Sequence, residues 1–360
     1  MFETQTHTLE SCAMERFNHE VQRALQRRQQ WEATFVERSA LVNRQTFAAV
    51  AGFPLHDGEI RLQGVDGQRC MEVLQGQLNC FLAVDREYGG RCGETWPHYL
   101  ASAFPMMQGW TLRTMLQALW VRAMHHRAEG RAELAYIEYV CGKGNLSRAG
   151  IQAGYVGVSF DKDISPCHDV LEEGGLELWL LALTAAEPGA LIWCGMPCSS
   201  YVTLSRSQSL RYPENLHLGD TTKYFVQEGN VLGDITAMIM LLSHLLGCSE
   251  AMEQPASSVY PETPCCQAVL RFIGAVKTTT YHYCFGGVTL KPLQLWSSSR
   301  FMRALERGRP RCADGATEQL AKRDKDGGFT GDKQLLQESQ VYSIQFGQAV
   351  FTAWAQYGAA

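Results

Sequence analysis

The chain lacks the cysteine and histidine spacing of a structural metal centre. Its 13 cysteines include no CxxC matched by a second CxxC or an HxxxH, which excludes zinc-site chemistry of the finger or ribbon type. Nor do they read as a disulfide framework. Cys265 and Cys266 are adjacent, Cys80 sits beside Phe81 and Cys248 follows a Leu-rich stretch, so the expectation is reduced, mostly buried thiols of an intracellular protein. A basic excess is missing as well. With 32 Lys+Arg against 37 Asp+Glu the formal net charge is −5, the opposite of what bulk electrostatic binding of nucleic acid calls for. There is no apolar run of the roughly 18 residues that a membrane span needs, and Met1 to Glu20 carry charge without an apolar h-region, so neither membrane nor secretory leader is expected. Internal repeats are absent too. What is there is a 360-residue chain, 46% hydrophobic and 19% charged, with mean hydropathy −0.18, enough for one large domain or two modest ones.

Lysine is missing from the first part of the chain and begins at Lys143, close to a change of texture. Residues 9–50 are rich in Gln, Arg, Glu and Ala and read as helix; 52–64 carry turn chemistry, and 88–93 read as a loop. Leu112, Met115, Leu116, Leu119, Trp120 and Ala123 recur at the spacing of an amphipathic helix. Residues 1–130 are thus expected to form a mainly helical N-terminal region. From residue 131 short apolar runs alternate with helical stretches. Strands are expected at 135–140, 155–160, 190–194, 276–285 and 293–297, and helices at 148–154, 176–186 and 231–246. That alternation predicts an α/β domain over 131–360, a parallel or mostly parallel sheet with helices on both faces. Residues 307–340 read as an exposed, charged excursion.

Three constellations could carry chemistry. Glu138-Tyr139-Val140-Cys141-Gly142-Lys143-Gly144 is a strand ending in a Gly-x-Gly turn before a helix start, which lets backbone approach a bound nucleotide. Asp161 follows at the end of the next strand, where a carboxylate can accept ribose hydroxyls. Read alone, the turn is equally a tight strand–helix connection. Met196-Pro197-Cys198-Ser199-Ser200 sets a thiol at the carboxyl end of a buried strand, where open α/β sheets bind ligands and a Cys can act as nucleophile. A structural Cys at a strand end is the alternative. Glu253-Gln254-Pro255 offers a general acid at the same edge, or else a solvated loop carboxylate.

In order and spacing these segments resemble the cytosine-5 DNA methyltransferases, S-adenosylmethionine-dependent enzymes with a Rossmann-like fold. Residues 138–144 resemble the cofactor loop with Gly142, Gly144 and Leu146, and Asp161 the ribose-binding acid. His168-Asp169-Val170 is similar to the family's Gly-Asp-Ile, whose Asp contacts the adenine. Cys194 to Tyr201 resembles the Pro-Cys nucleophile loop, and Glu253-Gln254-Pro255 the Glu-Asn-Val motif. Tyr342 to Val350 is similar to the segment that returns to the cofactor pocket, with Gln348 in the Asn position. The resemblance implies Cys198 adding to C6 of a pyrimidine while Glu253 protonates N3, with cofactor contacts from Glu138, Gly142, Gly144, Leu146, Asp161, Asp169, Pro197 and Gln348. It implies a nucleic-acid partner, DNA before RNA.

The sequence departs from the pattern in places. Where the family has a Gln-x-Arg-x-Arg segment only Lys291 offers a cation; Val140 stands for an adenine-stacking Phe, and Met196 for the first Pro of Pro-Pro-Cys. Residues 297–341 fill the place of a target-recognition domain, too short for a duplex reader, although Arg300, Arg303, Arg307, Arg309 and Arg311 make the first part basic, as a solvated helix face or a phosphate contact. Recognition would then come from another protein. The alternative is a catalytically silent relative serving as a cofactor-binding or regulatory scaffold.

Overall fold

The computed structural model describes residues 65–358 apart from 173, 288, 311–320, 324–328 and 332–337. The helix expected over 9–50 and the turn over 52–64 lie outside the described residues. Three helices come first: α1 (Val65–Glu87), α2 (Arg91–Ala103) and α3 (Leu112–Ala128). The alternating part follows as β1 (Leu134–Tyr139), α4 (Asn145–Gln152), β2 (Gly157–Phe160), α5 (Gly175–Thr184), β3 (Ala186–Cys194), α6 (Arg206–Ser209), α7 (Tyr224–Leu245) and β4 (Ser249–Pro255). After these come α8 (Pro264–Phe272), β5 (Val276–Tyr281), β6 (Pro292–Ser297), a hairpin of β7 (Ala321–Arg323) and β8 (Phe329–Gly331), and α9 (Ile344–Tyr357).

The sheet has six strands in the order β2-β1-β3-β4-β6-β5. β1, β2, β3 and β4 are parallel, and β6 runs against both β4 and β5. This is the mixed, mostly parallel α/β architecture that the alternation predicts. Strands buried on both faces have no polar face to show, which is why Leu191 to Cys194 are an unbroken buried run. One face is covered by α4, α9 and the 3₁₀ turn Arg300–Leu305, around a core that includes Tyr136, Trp193, Leu295, Phe301, Phe346 and Phe351. The other is covered by α5 and α7, with α1, α2, α3 and α8 packed outside them. Helices α1–α3 belong to the same compact unit as the sheet, Phe53–Ala360.

Several local readings are revised. The loop expected over 88–93 is cut short because α2 starts at Arg91: the Asp85 carboxylate at the end of α1 accepts from Cys92 N and Gly93 N at 3.1 Å each, capping a helix whose own N-cap, Gly90, has no side chain. The Arg-rich stretch after β6 is not a solvated face throughout, since Phe301, Met302 and Leu305 are buried. Cys80, read as buried, is exposed, as are Cys70 and Cys167, while Cys92, Cys141, Cys194, Cys248, Cys265 and Cys266 are buried. Among the described residues one helix, α7, is long and apolar enough to cross a membrane by length and composition. Its apolar window is 67% buried within the fold, and its Asp234 pairs with Arg91 at 3.0 Å. It is the central core helix.

Candidate active site

Register brings the site together. Phe160, Tyr139, Cys194 and Met252 form one row across β2, β1, β3 and β4. The next residue of each chain therefore stands on a single edge: Asp161, Val140, Gly195 and Glu253. Strand order reverses between β1 and β3, the switch point at which open α/β sheets form their ligand crevice. Because β5 is parallel to β4 and β6 returns against it, the turn 282–291 with Lys291 reaches the same edge.

On one side of the switch point lies the glycine loop. Gly142 and Gly144 have φ of +54° and +65°, conformations that glycine adopts without strain, and a Cβ on either would meet nothing within 4 Å. Space in front of the loop is open. Val140 holds φ +56°, which costs a β-branched residue roughly 1–2 kcal/mol and marks a backbone held by its surroundings. Glu138 is fully buried; its Oε2 accepts from Ser147 N at 2.9 Å and from the Ser147 hydroxyl. The carboxylate thereby caps the first turn of α4, whose N-cap is Gly144. Asp161 Oδ2 accepts from Gly142 N at 2.8 Å and Oδ1 from Asp163 N at 3.0 Å. Asp169 is half-buried, with Oδ1 accepting from Leu171 N at 3.0 Å. The glycine loop and Asp161 are thus joined directly by the Gly142 N–H. Leu146 is wholly buried in the core beneath the loop. Gln348 is exposed and donates to Gln152 at the far end of α4, so the structure does not bring it to the loop.

On the other side lies the thiol. Cys198 is half-buried and Pro197 exposed, and the Cys198 carbonyl accepts from Tyr201 N and Val202 N at 2.9 and 3.1 Å, forming a turn. Gln254, on β4, donates from Nε2 to the Met196 carbonyl at 3.0 Å, tying the loop to the neighbouring strand. Burial pushes the Cys198 thiol up, the Lys291 ammonium draws it back down, and Glu253 adds to the upward push. Glu253 is 6% exposed, which removes the solvated-loop alternative. Burial pushes its carboxyl up, against the Lys291 ammonium and the Tyr342 hydroxyl, which hold it down. Tyr342 donates to Glu253 Oε2 at 2.8 Å, whereas Oε1 is buried and meets no hydrogen-bond partner among the described residues. Lys291 donates to the Ser339 carbonyl at 3.3 Å. Beside it His282 is kept neutral, pushed down to about 4 by burial and by Lys291.

Cys198, Glu253 and Lys291 therefore act on one another at one strand edge. A sulfur, a buried acid with one unpartnered oxygen and a cation can together add a thiolate to an electron-poor unsaturated ring while a proton is delivered to it. Sequence reading assigned no role to Tyr342, Gln254 or Arg211. Arg211 fixes the turn after the thiol by donating to Ser200 O, Ser200 Oγ, His217 O, Asn230 Oδ1 and Val226 O. The chain matches no protein-family model, no curated protein and no solved structure.

Proposed function

We propose that the protein is an S-adenosylmethionine-dependent methyltransferase of Rossmann-like fold that acts on C5 of a pyrimidine in nucleic acid through a covalent adduct with Cys198. The observation that carries the reading is the convergence of Cys198, Glu253 and Lys291 on one strand edge, across the switch point from an open glycine loop. The order β2-β1-β3-β4 with its reversal at β1 supports the fold class.

The crevice has the features the cofactor requires. Backbone at Gly142 and Gly144 is approachable; Asp161, at the end of β2, would meet ribose hydroxyls, and Asp169, at the end of the 3₁₀ turn Pro166–His168, an adenine amine. These four residues would hold it. When bound, S-adenosylmethionine supplies an electrophilic methyl group. The protein's own residues do the rest. The Cys198 thiolate forms a bond to C6 of the ring; the C5–C6 π electrons move toward N3, and the Glu253 carboxyl gives its proton there. Burial raises the Glu253 carboxyl above its ordinary range and so favours the protonated form that can give this proton. Lys291 opposes the cost of forming the thiolate and the carboxylate. C5 is left electron-rich, and after methylation the loss of the C5 proton would expel the Cys198 thiolate from C6 and restore the C5–C6 double bond. A base in a duplex would have to be flipped out to reach this edge, and with only 297–341 in place of a reader we infer that another protein supplies recognition, inside the cell where the thiol stays reduced.

The upward push on the Cys198 thiol is the observation that favours the scaffold reading, in which the fold binds the cofactor without turning over. Calorimetric titration with S-adenosylmethionine tests fold and cofactor together: the expected result is saturable heat, and none would overturn the reading. Incubation with nucleic acid containing 5-fluorocytosine then separates enzyme from scaffold. A covalent complex abolished by Cys198→Ser is expected; cofactor binding without any adduct would leave the scaffold.

A further inference from the structure

Glu253 has two oxygens, and the structure treats them differently. Oε2 accepts from the Tyr342 hydroxyl at 2.8 Å; Oε1 is buried with no partner among the described residues. Tyrosine carries a single hydroxyl hydrogen. The Tyr342 oxygen itself accepts from Trp193 Nε1 at 3.4 Å, so its acceptor side faces the indole and its hydrogen faces Glu253. The phenol has little freedom to turn around. Its ring stands at 90° to Trp193 with centroids 6.0 Å apart, its backbone carbonyl accepts from Asn145 Nδ2 at 2.6 Å, and the next residue, Ser343, caps α9 by accepting from Phe346 N at 3.1 Å and donates to the Phe285 carbonyl.

We propose that Tyr342 is a positioning residue for the methyltransferase reaction: by donating to Oε2 it confines the acidic proton of Glu253 to Oε1, the oxygen left without a protein partner at the strand edge that also carries Cys198 and Lys291. The inference rests on the reading under Proposed function. A proton on Oε2 would point at the phenol hydrogen, and the phenol could give way only by losing Trp193. With the proton on Oε1 one carboxyl oxygen is an acceptor held by the protein and the other a donor with nothing in the protein to satisfy it, which is the arrangement a proton donor needs. Ionisation returns the charge to a group already hydrogen-bonded on the far side.

The charged and titratable groups around Glu253 come from each element packed there. Cys198 lies on the β3–α6 connection, Lys291 and His282 on the β5–β6 turn, Tyr342 ahead of α9, and Glu138 on β1 acts on Tyr342. Among these only Lys291 and Tyr342 favour the carboxylate, so removing the hydroxyl leaves the acid form more favoured than before.

Infrared difference spectra of the full chain against its Glu253→Gln variant isolate the carbonyl stretch of protonated Glu253 and its titration. In Tyr342→Phe the stretch should rise in frequency, because the C=O oxygen loses its donor, and the titration midpoint should move to higher pH. Asn145→Ala, which frees the Tyr342 carbonyl without touching the hydroxyl, should give a smaller shift in the same direction. An unchanged band and midpoint in Tyr342→Phe would overturn the inference. Adduct formation with 5-fluorocytosine nucleic acid is read in parallel. Tyr342→Phe should slow it about tenfold, with its alkaline limb moved upward and cofactor affinity unchanged. Absence of any adduct in the wild type would instead count against the methyltransferase reading, while the infrared result still decides the role of Tyr342.

Discussion

Arg211 is 1% exposed, and its guanidinium stacks 3.7 Å from the Tyr201 ring centroid while donating to acceptors on the Cys loop, the 217 turn and α7. A planar fork with five N–H groups can meet acceptors in those directions at once, and an ammonium cannot. Arg211→Lys keeps the charge but leaves buried carbonyls unmet, so it should lower the unfolding free energy by about 2 kcal/mol in urea titration. Because Ser200 O and Oγ lie two residues beyond Cys198, it should also reduce adduct formation. Nothing in the local pattern around 206–224 distinguishes this arginine from its exposed neighbours; its partners are gathered only by folding. Tyr342 was hidden for the same reason, with Glu253 lying 89 positions away along the chain. Cys198 and Glu253 were legible because each follows a strand-like segment, and the end of a buried strand is where polar chemistry has room to begin; Lys291 was named only through the family resemblance.

At the scale of elements most strands were easy to see, since buried parallel strands leave apolar runs and helices between them keep a different period; β4 gave no such run, because its buried residues include Ser249, Glu250, Glu253 and Gln254. α8 was missed: it is nine residues long and begins with a proline, which favours a first helical turn but reads in sequence as a breaker. Leu146 was assigned to the cofactor and lies in the core, because its position in the motif is also an inward position of α4. The helix that most constrains the crevice is α5. It begins at Gly175, where an added Cβ would lie 1.8 Å from the Asp169 carbonyl oxygen, with Gly174 ahead of it at φ +92°. Gly175→Ala must push the 169 backbone away, at a cost of about 3 kcal/mol. The expected outcome is a lower melting temperature together with weaker S-adenosylmethionine binding; destabilisation with unchanged affinity would detach Asp169 from the cofactor.

For the molecule as a whole, two buried histidines weaken the fold in acid, acting against the carboxyls of half-buried Glu177 and of buried Asp234 and Glu253, which are pushed up and favour the folded state there. His126 on α3 and His282 at the opposite end of the chain's core are both pushed down to about 4, each chiefly by burial, with Arg122 adding for His126 and Lys291 for His282. In the unfolded chain a histidine takes its proton near 6.5. Between that pH and about 4 the unfolded state binds more protons at these two sites than the folded one, so their contribution to stability falls as pH falls through this window and levels off below it. Each residue contributes about 3 kcal/mol to that loss. Urea titrations from pH 7 to 4 should show the decline, and His126→Gln and His282→Gln should each flatten it. Because one histidine lies in the outer helical layer and the other beside Lys291, additive flattening is expected for sites without shared partners.

Leu305, buried in the core, and Tyr342, hydrogen-bonded to Glu253, are the two fixed ends of the connection between the sheet and its last helix. Thiol, acid and cation are spaced by neighbouring strands and their turns, with one hold from the connection itself near its end, where the Ser339 carbonyl accepts from Lys291. Closing a longer loop between two anchors costs only about 0.6 kcal/mol per doubling of its length. Between Leu305 and Ser339 the connection is therefore a socket: residues can be added, exchanged or removed there in evolution or by design while the strand edge keeps its dimensions.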